Sequence, residues 1–326
     1  MALLAVRDLV TVFSSEEGTL AAVRGVSFTL DPGETLGLVG ESGCGKSVTA
    51  LSIIGLLPPA ARIAEGSIEL EGRDLVGASK RELRRMRGRR IAIVFQDSMA
   101  SLNPLLTVGR QITESLETHL GVSGREAARR AAGLLEEVGV PEPARRLRQY
   151  PHQLSGGLRQ RVAVAVALAP NPAVLIADEP TTALDVTIQA QLLDLLKREQ
   201  AEREMALILI THDLGVVAGM ADRLCVMYAG RIVEEGPTEA VFAEPHHPYT
   251  LGLLSSVPRL DGEIVERLPS IPGAPPPLGG LGQGCAFRPR CPFALERCAE
   301  EDPPLEPAGA GGQAAACWAD VGAAVR

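Results

Sequence analysis

Aromatic residues are scarce in this sequence, at 3% of 326 residues, and long apolar runs are missing. Proteins that bind single-stranded nucleic acid stack the bases on aromatic side chains, so the scarcity argues against that class. The formal net charge of -8 also argues against nucleic acid as a partner. The longest apolar candidate, residues 162–169, is far shorter than the roughly 18 residues that a membrane-spanning helix needs.

The start of the chain lacks the features of a secretory signal peptide. Residues 1–13 place Asp8 within an apolar stretch and have neither a basic start nor a cleavage site. The overall composition, 46% apolar and 22% charged, is that of an ordinary globular protein. We therefore expect a folded cytosolic protein that meets a membrane only through its partners.

Residues 40–47 read GESGCGKS and lie between a short apolar run and a helical pattern. In a strand–loop–helix context, the pattern G-x-x-x-x-G-K-[ST] predicts a phosphate-binding loop. Its glycines let the backbone approach a phosphate closely, and the N–H groups that open the following helix attract the anion. Lys46 adds a positive charge, and the Ser47 hydroxyl can bind Mg²⁺. The sequence therefore predicts a nucleoside triphosphate site.

A second apolar run, residues 173–177, ends in Asp178 and Glu179. It predicts a buried parallel strand that carries two carboxylates at its C-terminal end, where open α/β sheets bind ligands. Beside a phosphate loop, Asp178 would interact with Mg²⁺, and Glu179 would interact with a water molecule. His212 follows another predicted strand, residues 206–210, and is expected at the same sheet edge.

Residues 98–170 lose strand character and predict helices, which indicates a helical insertion in the α/β domain. The insertion contains LSGGLRQR, residues 154–161, in which Ser155 suits a helix N-cap. Gly156 and Gly157 leave the first-turn N–H groups open to an anion. The residues alone allow either a second phosphate site or a helix start softened by glycine.

The chain changes in composition beyond Tyr249, where proline and glycine predict an extended, semi-rigid linker. Four cysteines follow with the spacing C-x5-C-x6-C-x18-C, namely Cys285, Cys291, Cys298 and Cys317. A reducing cytosol disfavours disulfides, so this pattern predicts a metal site. The spacing lacks the close C-x2-C of common zinc folds, and four thiolates also suit a [4Fe-4S] cluster. The residues leave an iron–sulfur cluster, zinc and unliganded thiols open.

GESGCGKS, Gln96, LSGGLRQR, LIADEP, ALD and ITHD occur in the order, and at about the spacing, of ABC-transporter nucleotide-binding subunits. The late motifs FQDSMASLNPLLTVG, HPYTLGLLSSVPRL and IPGAPP, with the four cysteines, resemble the ATP-binding subunits of dipeptide/oligopeptide importers. Nickel importers share much of that pattern. The resemblance implies an α/β phosphate-loop NTPase of ABC type over residues 1–250, with a helical subdomain at about 98–170 and a C-terminal extension over 251–326.

The resemblance also assigns catalytic and metal-binding roles. Lys46 and Ser47 would hold the phosphates and Mg²⁺, and Asp178 would support the metal. Gln96 would bind Mg²⁺ and the attacking water, Glu179 would be the general base, and His212 would contact the γ-phosphate.

Two further assignments concern the nucleotide. Phe13 would stack on adenine, although the residues alone favour a core phenylalanine. Ser155, Gly156 and Gly157 would act in trans on the nucleotide of the opposite subunit. The full nucleotide-binding set comprises Phe13, Gly40, Glu41, Ser42, Gly43, Cys44, Gly45, Lys46, Ser47, Val48, Gln96, Ser155, Gly156, Gly157, Asp178 and Asp185.

The resemblance implies an ATP-hydrolysing subunit that energises import of di- and oligopeptides. The alternatives are the same role in a nickel or metal-chelate importer, and a non-transport ABC ATPase. The implied partners are two transmembrane permeases, contacted at Asp97–Leu106, a second ABC ATPase and, indirectly, an extracytoplasmic binding protein. The subunit would sit peripherally on the cytoplasmic face of the membrane. Some members of this family carry an iron–sulfur cluster. The resemblance therefore favours a [4Fe-4S] cluster over zinc at the four cysteines.

Overall fold

The computed structural model describes residues 2–15, 18–97, 101–182, 184–257 and 270–322. The chain divides into two compact units, and the predicted boundary at residue 250 lies inside the first of them, so a separate C-terminal domain stays a prediction. The predicted linker falls partly on residues 258–269, outside the described residues. The first unit comprises Met1–Leu30, Thr35–Val76 and Ile210–Arg326; the second comprises Asp31–Glu34 and Gly77–Leu209.

Within the described residues the chain forms twelve strands and ten α-helices. The strands are β1 Leu4–Ser15, β2 Gly18–Leu30, β3 Thr35–Val39, β4 Ala61–Leu70, β5 Arg73–Asp74, β6 Ile91–Val94, β7 Val174–Asp178, β8 Ala206–Thr211, β9 Arg223–Tyr228, β10 Arg231–Pro237, β11 Glu306–Ala308 and β12 Gln313–Ala315. The helices are α1 Lys46–Ile54, α2 Lys80–Met86, α3 Val108–Leu120, α4 Gly124–Glu137, α5 Pro143–Arg146, α6 Gly156–Leu168, α7 Val186–Arg203, α8 Leu214–Met220, α9 Thr238–Ala243 and α10 Pro248–Ser255. None of these helices is both long and apolar enough to cross a bilayer.

The first unit contains an antiparallel sheet with the strand order β2-β1-β4-β5. Its other strands run in the order β11-β12-β10-β9-β3, in which β3 is parallel to β9 and the remaining pairs are antiparallel. The hairpin between β9 and β10 turns at Ala229 and Gly230, both with positive φ. Two positive φ values in a two-residue turn match the right-handed twist of the strands. In the sequence, Ala229-Gly230 between two short stretches over residues 223–235 predicts a hairpin, and the hairpin is confirmed.

The second unit has neighbouring strands in the order β8-β7-β6, with β6 parallel to β7. All five residues of β7 are buried, as expected for a parallel strand covered on both faces. The helices predicted within residues 98–170 are confirmed at α3, α4 and α6, which pack against one another. The apolar stripes of α3 and α4, with Ile112 and Leu135 fully buried, explain why this stretch folds as helices.

Three of the ten aromatic residues of the sequence converge in the core of the first unit. Tyr228 at the end of β9 packs against Tyr249 of α10, with ring centroids 4.7 Å apart. Phe287, from the C-terminal extension, lies edge-on to Tyr228 at 5.2 Å and 5.5 Å from Tyr249. Edge-to-face and tilted aromatic pairs of this kind contribute about 0.5–1.5 kcal/mol beyond the burial of their area. The extension is therefore part of the core of this unit.

His247 caps α10 from inside this core. Its Nδ1 accepts a hydrogen bond of 3.0 Å from the Tyr249 N–H, and its ring lies 5.6 Å from that of Phe287. Burial disfavours the imidazolium and lowers the pKa of His247 to about 3. Protonation would also remove the lone pair that caps the helix, so His247 is held neutral.

We expect His247 to make the protein sensitive to acid. The unfolded chain binds the proton at a pKa near 6.5 and the folded chain at about 3, so stability falls as the pH drops from about 6.5 towards 3. The slope from this group approaches about 1.4 kcal/mol per pH unit. His247→Asn keeps a capping oxygen but does not titrate. Urea unfolding at pH 7.5 and at pH 5.5 should show that the free energy of unfolding falls less in the variant than in the wild type. An equal fall in both proteins would contradict this explanation.

Candidate functional site

The backbone of the GESGCGKS loop is shaped by close contacts that leave no room for side chains. Gly40 and Gly45 have φ values of 154° and 107°. A Cβ atom at Gly40 would lie 2.2 Å from the Met227 carbonyl oxygen, and one at Gly45 would lie 2.7 Å from the Ala22 carbonyl oxygen. Glycine is required at both positions, because any side chain would collide with backbone. The two glycines therefore determine the backbone of this loop, and its binding of phosphate stays a prediction.

The loop leads into α1, whose first residue is Lys46. The N-cap residue Gly45 offers no side chain to the first-turn N–H groups, as a phosphate site at a helix N-terminus requires. Lys46 is 4% exposed, and its Nζ donates to the carbonyl oxygens of Gly40 at 2.7 Å and Glu41 at 3.0 Å. A buried positive charge therefore lies at the N-terminus of α1.

The remaining loop residues differ in exposure. Ser42, Gly43 and Ser47 are exposed, whereas Val48 is half-buried on α1. Cys44 is 3% exposed, and burial raises the pKa of its thiol although Lys46 acts against this. The Cys44 carbonyl accepts a bond of 2.9 Å from the Gly230 N–H, which ties the loop to the β9–β10 hairpin.

The carboxylates predicted at the end of β7 are confirmed in position. Asp178 is the last residue of β7 and is 6% exposed, and Glu179 follows it. Gln96 donates from Nε2 to Glu179 Oε2 at 3.0 Å, and the Thr182 hydroxyl donates to the same oxygen at 3.0 Å. Two donors on one oxygen fix the Glu179 side chain, as an oriented catalytic carboxylate requires.

Glu179 also carries backbone strain, with a φ of 45°. The left-handed region is unfavourable for a non-glycine residue and is typical of functional positions. Neither this conformation nor the hydrogen bond from Thr182 is predicted from the sequence. The position of Thr182, three residues after Glu179 in a turn, is the signal that could have identified it.

Ser155 is confirmed as the N-cap of α6, since its hydroxyl accepts from the Leu158 N–H at 3.4 Å. Gly157 is explained by packing, because a Cβ there would lie 2.8 Å from Ile188 Cγ2 on α7. Gly156 and Ser155 are exposed at this helix start. Asp185 has a comparable local role: it caps α7 by accepting from the Ile188 N–H at 3.0 Å. The neighbouring Ala183 lies outside the described residues.

Phe13 and His212 both belong to the first unit. Phe13 lies near the end of β1, opposite Leu20 of β2 and Ala61 of β4, and is half-buried. It is thus not a fully buried core residue, which was the interpretation favoured by the residues alone. His212 follows β8 directly and is exposed. The next residue, Asp213, caps α8 by accepting from the N–H groups of Gly215 and Val216.

Sequence reasoning missed the side chains that hold Glu41 in the loop. The Tyr249 hydroxyl accepts a bond of 2.8 Å from the Glu41 N–H. Arg290, from the C-terminal extension, forms two hydrogen bonds with the Glu41 carboxylate. The late HPYT motif drew attention to Tyr249, but nothing local indicated its distant partner.

The four late cysteines are close enough to interact electrostatically. Burial raises the pKa of the Cys285, Cys291 and Cys317 thiols, that of Cys317 to about 11. Backbone N–H groups two residues further on act against this rise at all three positions, from Phe287, Phe293 and Ala319. Burial outweighs these donors, so the surroundings favour the neutral thiols over the thiolates.

In the part of the chain that the structure describes, which includes all four cysteines, no three His, Cys, Asp or Glu side chains are grouped to hold a metal ion. The predicted [4Fe-4S] cluster and its zinc alternative therefore stay predictions. Trp318, next to Cys317, packs beneath the Arg297 guanidinium at 3.5 Å and donates to the Glu301 carbonyl at 3.3 Å.

Comparison with known proteins identifies two family profiles in the chain. The profile described as ABC transporter matches residues 23–182. The profile described as oligopeptide/dipeptide transporter, C-terminal region, matches residues 233–298. The second match includes α10 and three of the four late cysteines.

Relatives match over nearly the whole chain. The oligopeptide transport ATP-binding protein OppD of Bacillus subtilis is 52% identical over 93% of this chain and 85% of its own. A protein of Brucella abortus described as a putative peptide import ATP-binding protein is 51% identical, over 97% of this chain and 94% of its own.

Solved structures match the fold. The dimeric ATP-binding cassette MJ0796, bound to ADP and Pi in a post-hydrolysis state, has a TM-score of 0.66 at 30% identity. The match covers 72% of this chain and 98% of that one. The structure of cbiO1 from Clostridium perfringens gives a TM-score of 0.63 at 29% identity, over 74% and 91%. The chain belongs to the ABC transporter family, among the ATP-binding subunits of oligopeptide and dipeptide transporters.

Proposed function

We propose that this protein is the ATP-hydrolysing subunit of an ABC importer for di- and oligopeptides. The observation that carries the proposal is the C-terminal region, residues 233–298, which matches the oligopeptide/dipeptide transporter profile and packs into the core of the first unit through Phe287. A generic ATPase of this family would not need that region. Relatives above 50% identity that are named for peptide import support the same substrate class.

Each predicted site residue keeps its proposed role in ATP hydrolysis. Lys46 and Ser47 bind the phosphates and Mg²⁺, and Asp178 supports the metal. Glu179 accepts a proton from the attacking water, in the orientation that Gln96 and Thr182 give it. The chemistry is mostly positioning and charge neutralisation.

Further contacts with the nucleotide are proposed for Phe13, His212 and the residues that open α6. Phe13 stacks on adenine and His212 contacts the γ-phosphate. Ser155, Gly156 and Gly157 close over the nucleotide of an opposite ATPase subunit, and a sister ATPase is the proposed partner.

Glu179→Gln should separate binding from hydrolysis. The amide keeps the side-chain shape but cannot accept a proton, so hydrolysis should fall by about 100-fold or more while Mg-ATP binding persists. Glu114→Gln, on the exposed face of α3, is the matched control and should hydrolyse ATP like the wild type. Phosphate release and nucleotide affinity measure the two effects, and a Glu179→Gln variant with normal turnover would exclude Glu179 as the base.

The segment Asp97–Leu106 is the proposed contact with the permeases, although its residues 98–100 lie outside the described residues. Leu105 is 83% exposed, which is unusual for a large apolar side chain. Gln111 holds the segment by accepting from the Asn103 N–H at 2.9 Å and donating to the Leu106 carbonyl at 3.0 Å. An apolar side chain presented on a fixed loop suits a protein contact.

Co-purification from detergent-solubilised membranes tests this role and its partners. The tagged wild type should bring two multi-span permeases and a second ATPase, with the protein peripheral on the cytoplasmic face. Leu105→Asp should lose the permeases by placing a charge in an apolar contact, while ATP hydrolysis by the isolated subunit is retained. Val76→Asp, at another exposed apolar position, should keep them. Recovery of the wild type alone, or with ribosomes, would contradict the importer.

We also propose that the four cysteines bind a [4Fe-4S] cluster, with zinc as the alternative. The support is the spacing of the four cysteines in the extension and its resemblance to the late cysteines of peptide-importer ATPases. Such a group would supply a structural cross-link for a proline-rich tail.

Iron and acid-labile sulfide assays on anaerobically purified protein test the cluster. We expect both at a stoichiometry consistent with one cluster per chain, and their loss in Cys298→Ser. Cys225→Ser, which removes a buried cysteine outside the extension, is the control. Stoichiometric zinc without sulfide would favour the alternative, and neither metal would exclude both.

A further inference from the structure

Arg290, in the C-terminal extension, reaches Glu41, the second residue of the phosphate loop. Its Nη1 donates to Glu41 Oε2 at 2.6 Å and its Nη2 donates to Oε1 at 2.9 Å. This two-point geometry between guanidinium and carboxylate is the strongest form of a protein ion pair. The Arg290 side chain is 4% exposed and that of Glu41 is 27% exposed, so the pair is shielded from water more than surface ion pairs are.

Arg290 is held in place before it meets Glu41. Its Nε donates to the Pro272 carbonyl at 2.9 Å, and its guanidinium carbon lies 5.8 Å and 6.0 Å from the ring centroids of Tyr228 and Phe287. Stacking on aromatic rings and a backbone bond fix the plane of the guanidinium. The hydrogen bonds to Glu41 raise the pKa of Arg290 further, so the charge is permanent.

Every polar group of Glu41 is thereby engaged. Its carboxylate pairs with Arg290, its N–H donates to the Tyr249 hydroxyl at 2.8 Å, and its carbonyl accepts from Lys46 Nζ at 3.0 Å. Arg290 and Lys46 are thus linked through one residue.

The extension also lies close to the strands near Phe13. A Cβ at Gly279 would lie 2.8 Å from Cδ2 of Leu20, the cross-strand neighbour of Phe13.

A carboxylate in a loop that binds phosphate is unfavourable by itself, because like charges repel at short range. The pairing with Arg290 neutralises it. Arg290 also attaches the extension to the rest of the unit. Asp302 has the same attaching role, because it accepts a hydrogen bond of 3.3 Å from Arg24 and forms an ion pair with Arg231. Within the described residues, the ion pairs of Asp302 are with Arg24 and Arg231 and not with the phosphate loop, so the two attachments can be compared.

We propose that Arg290 is a positioning residue for nucleotide binding, which neutralises Glu41 and fixes the phosphate loop from the C-terminal extension. The proposal rests on the proposed function, in that the loop binds Mg-ATP. It makes the extension a part of the nucleotide site, and it assigns the ion pair a role beyond anchoring.

The test compares four variants in the full-length protein. Arg290→Met should weaken Mg-ATP binding by about tenfold or more, since it leaves Glu41 unpaired beside the phosphates. Adding Glu41→Gln to Arg290→Met should restore affinity to within about threefold of the wild type, because the uncompensated charge is gone. Arg290→Lys should be intermediate, since an ammonium lacks the two-point geometry. Asp302→Asn should bind Mg-ATP like the wild type.

Dissociation constants from calorimetry and thermal unfolding without nucleotide are measured for each variant. Rescue by the second substitution supports the proposal, because a simple anchor would be weakened further by losing both partners. Equal losses of affinity in Arg290→Met and Asp302→Asn, or no rescue by Glu41→Gln, would overturn it.

Hydrogen exchange separates this proposal from the proposed function. If the wild type fails to bind Mg-ATP, the proposed function fails, but the amides of residues 40–48 still report on loop order. Faster exchange there in Arg290→Met than in Asp302→Asn supports positioning by Arg290. The same exchange in both variants would overturn it.

Discussion

The packing of Tyr228, Tyr249 and Phe287 is the interaction on which the first unit depends. It joins the end of a central strand, a helix and the C-terminal extension, with ring centroids 4.7–5.5 Å apart. Aromatics make up only 3% of the residues, and three of them meet here in one buried cluster that includes the extension. The same packing places two polar groups against the phosphate loop, namely the Tyr249 hydroxyl and the neighbouring Arg290 guanidinium.

The loop itself is determined by steric exclusion more than by attraction. Backbone carbonyls of Met227 and Ala22 occupy the space that side chains at Gly40 and Gly45 would need. Strands β9 and β2 thus act as a template for the loop, and the aromatic core that supports β9 supports the loop as well. In the second unit, Glu179 is not positioned by steric exclusion. Its side chain is oriented by hydrogen-bond donors, and its backbone is strained.

Features with a local signal could be predicted from the sequence. The phosphate loop, the strand ending in Asp178, the Ser155 cap and the hairpin at Ala229 each follow from a few adjacent residues. Contacts between distant residues could not be predicted in this way. Gln96 and Glu179 are 83 residues apart, and Arg290 and Glu41 are 249 apart. The cysteine spacing indicated ligand chemistry, but it does not determine how close the sulfur atoms come.

The position of Trp318 has a spectroscopic consequence. It is the only tryptophan of the chain, and its ring lies between the Arg297 guanidinium and a backbone carbonyl beside Cys317. Indole fluorescence depends on the polarity and charge around the ring, so the tryptophan emission of the whole protein arises from the C-terminal extension alone. The chain therefore carries an intrinsic optical reporter for that segment, which can be followed without a label.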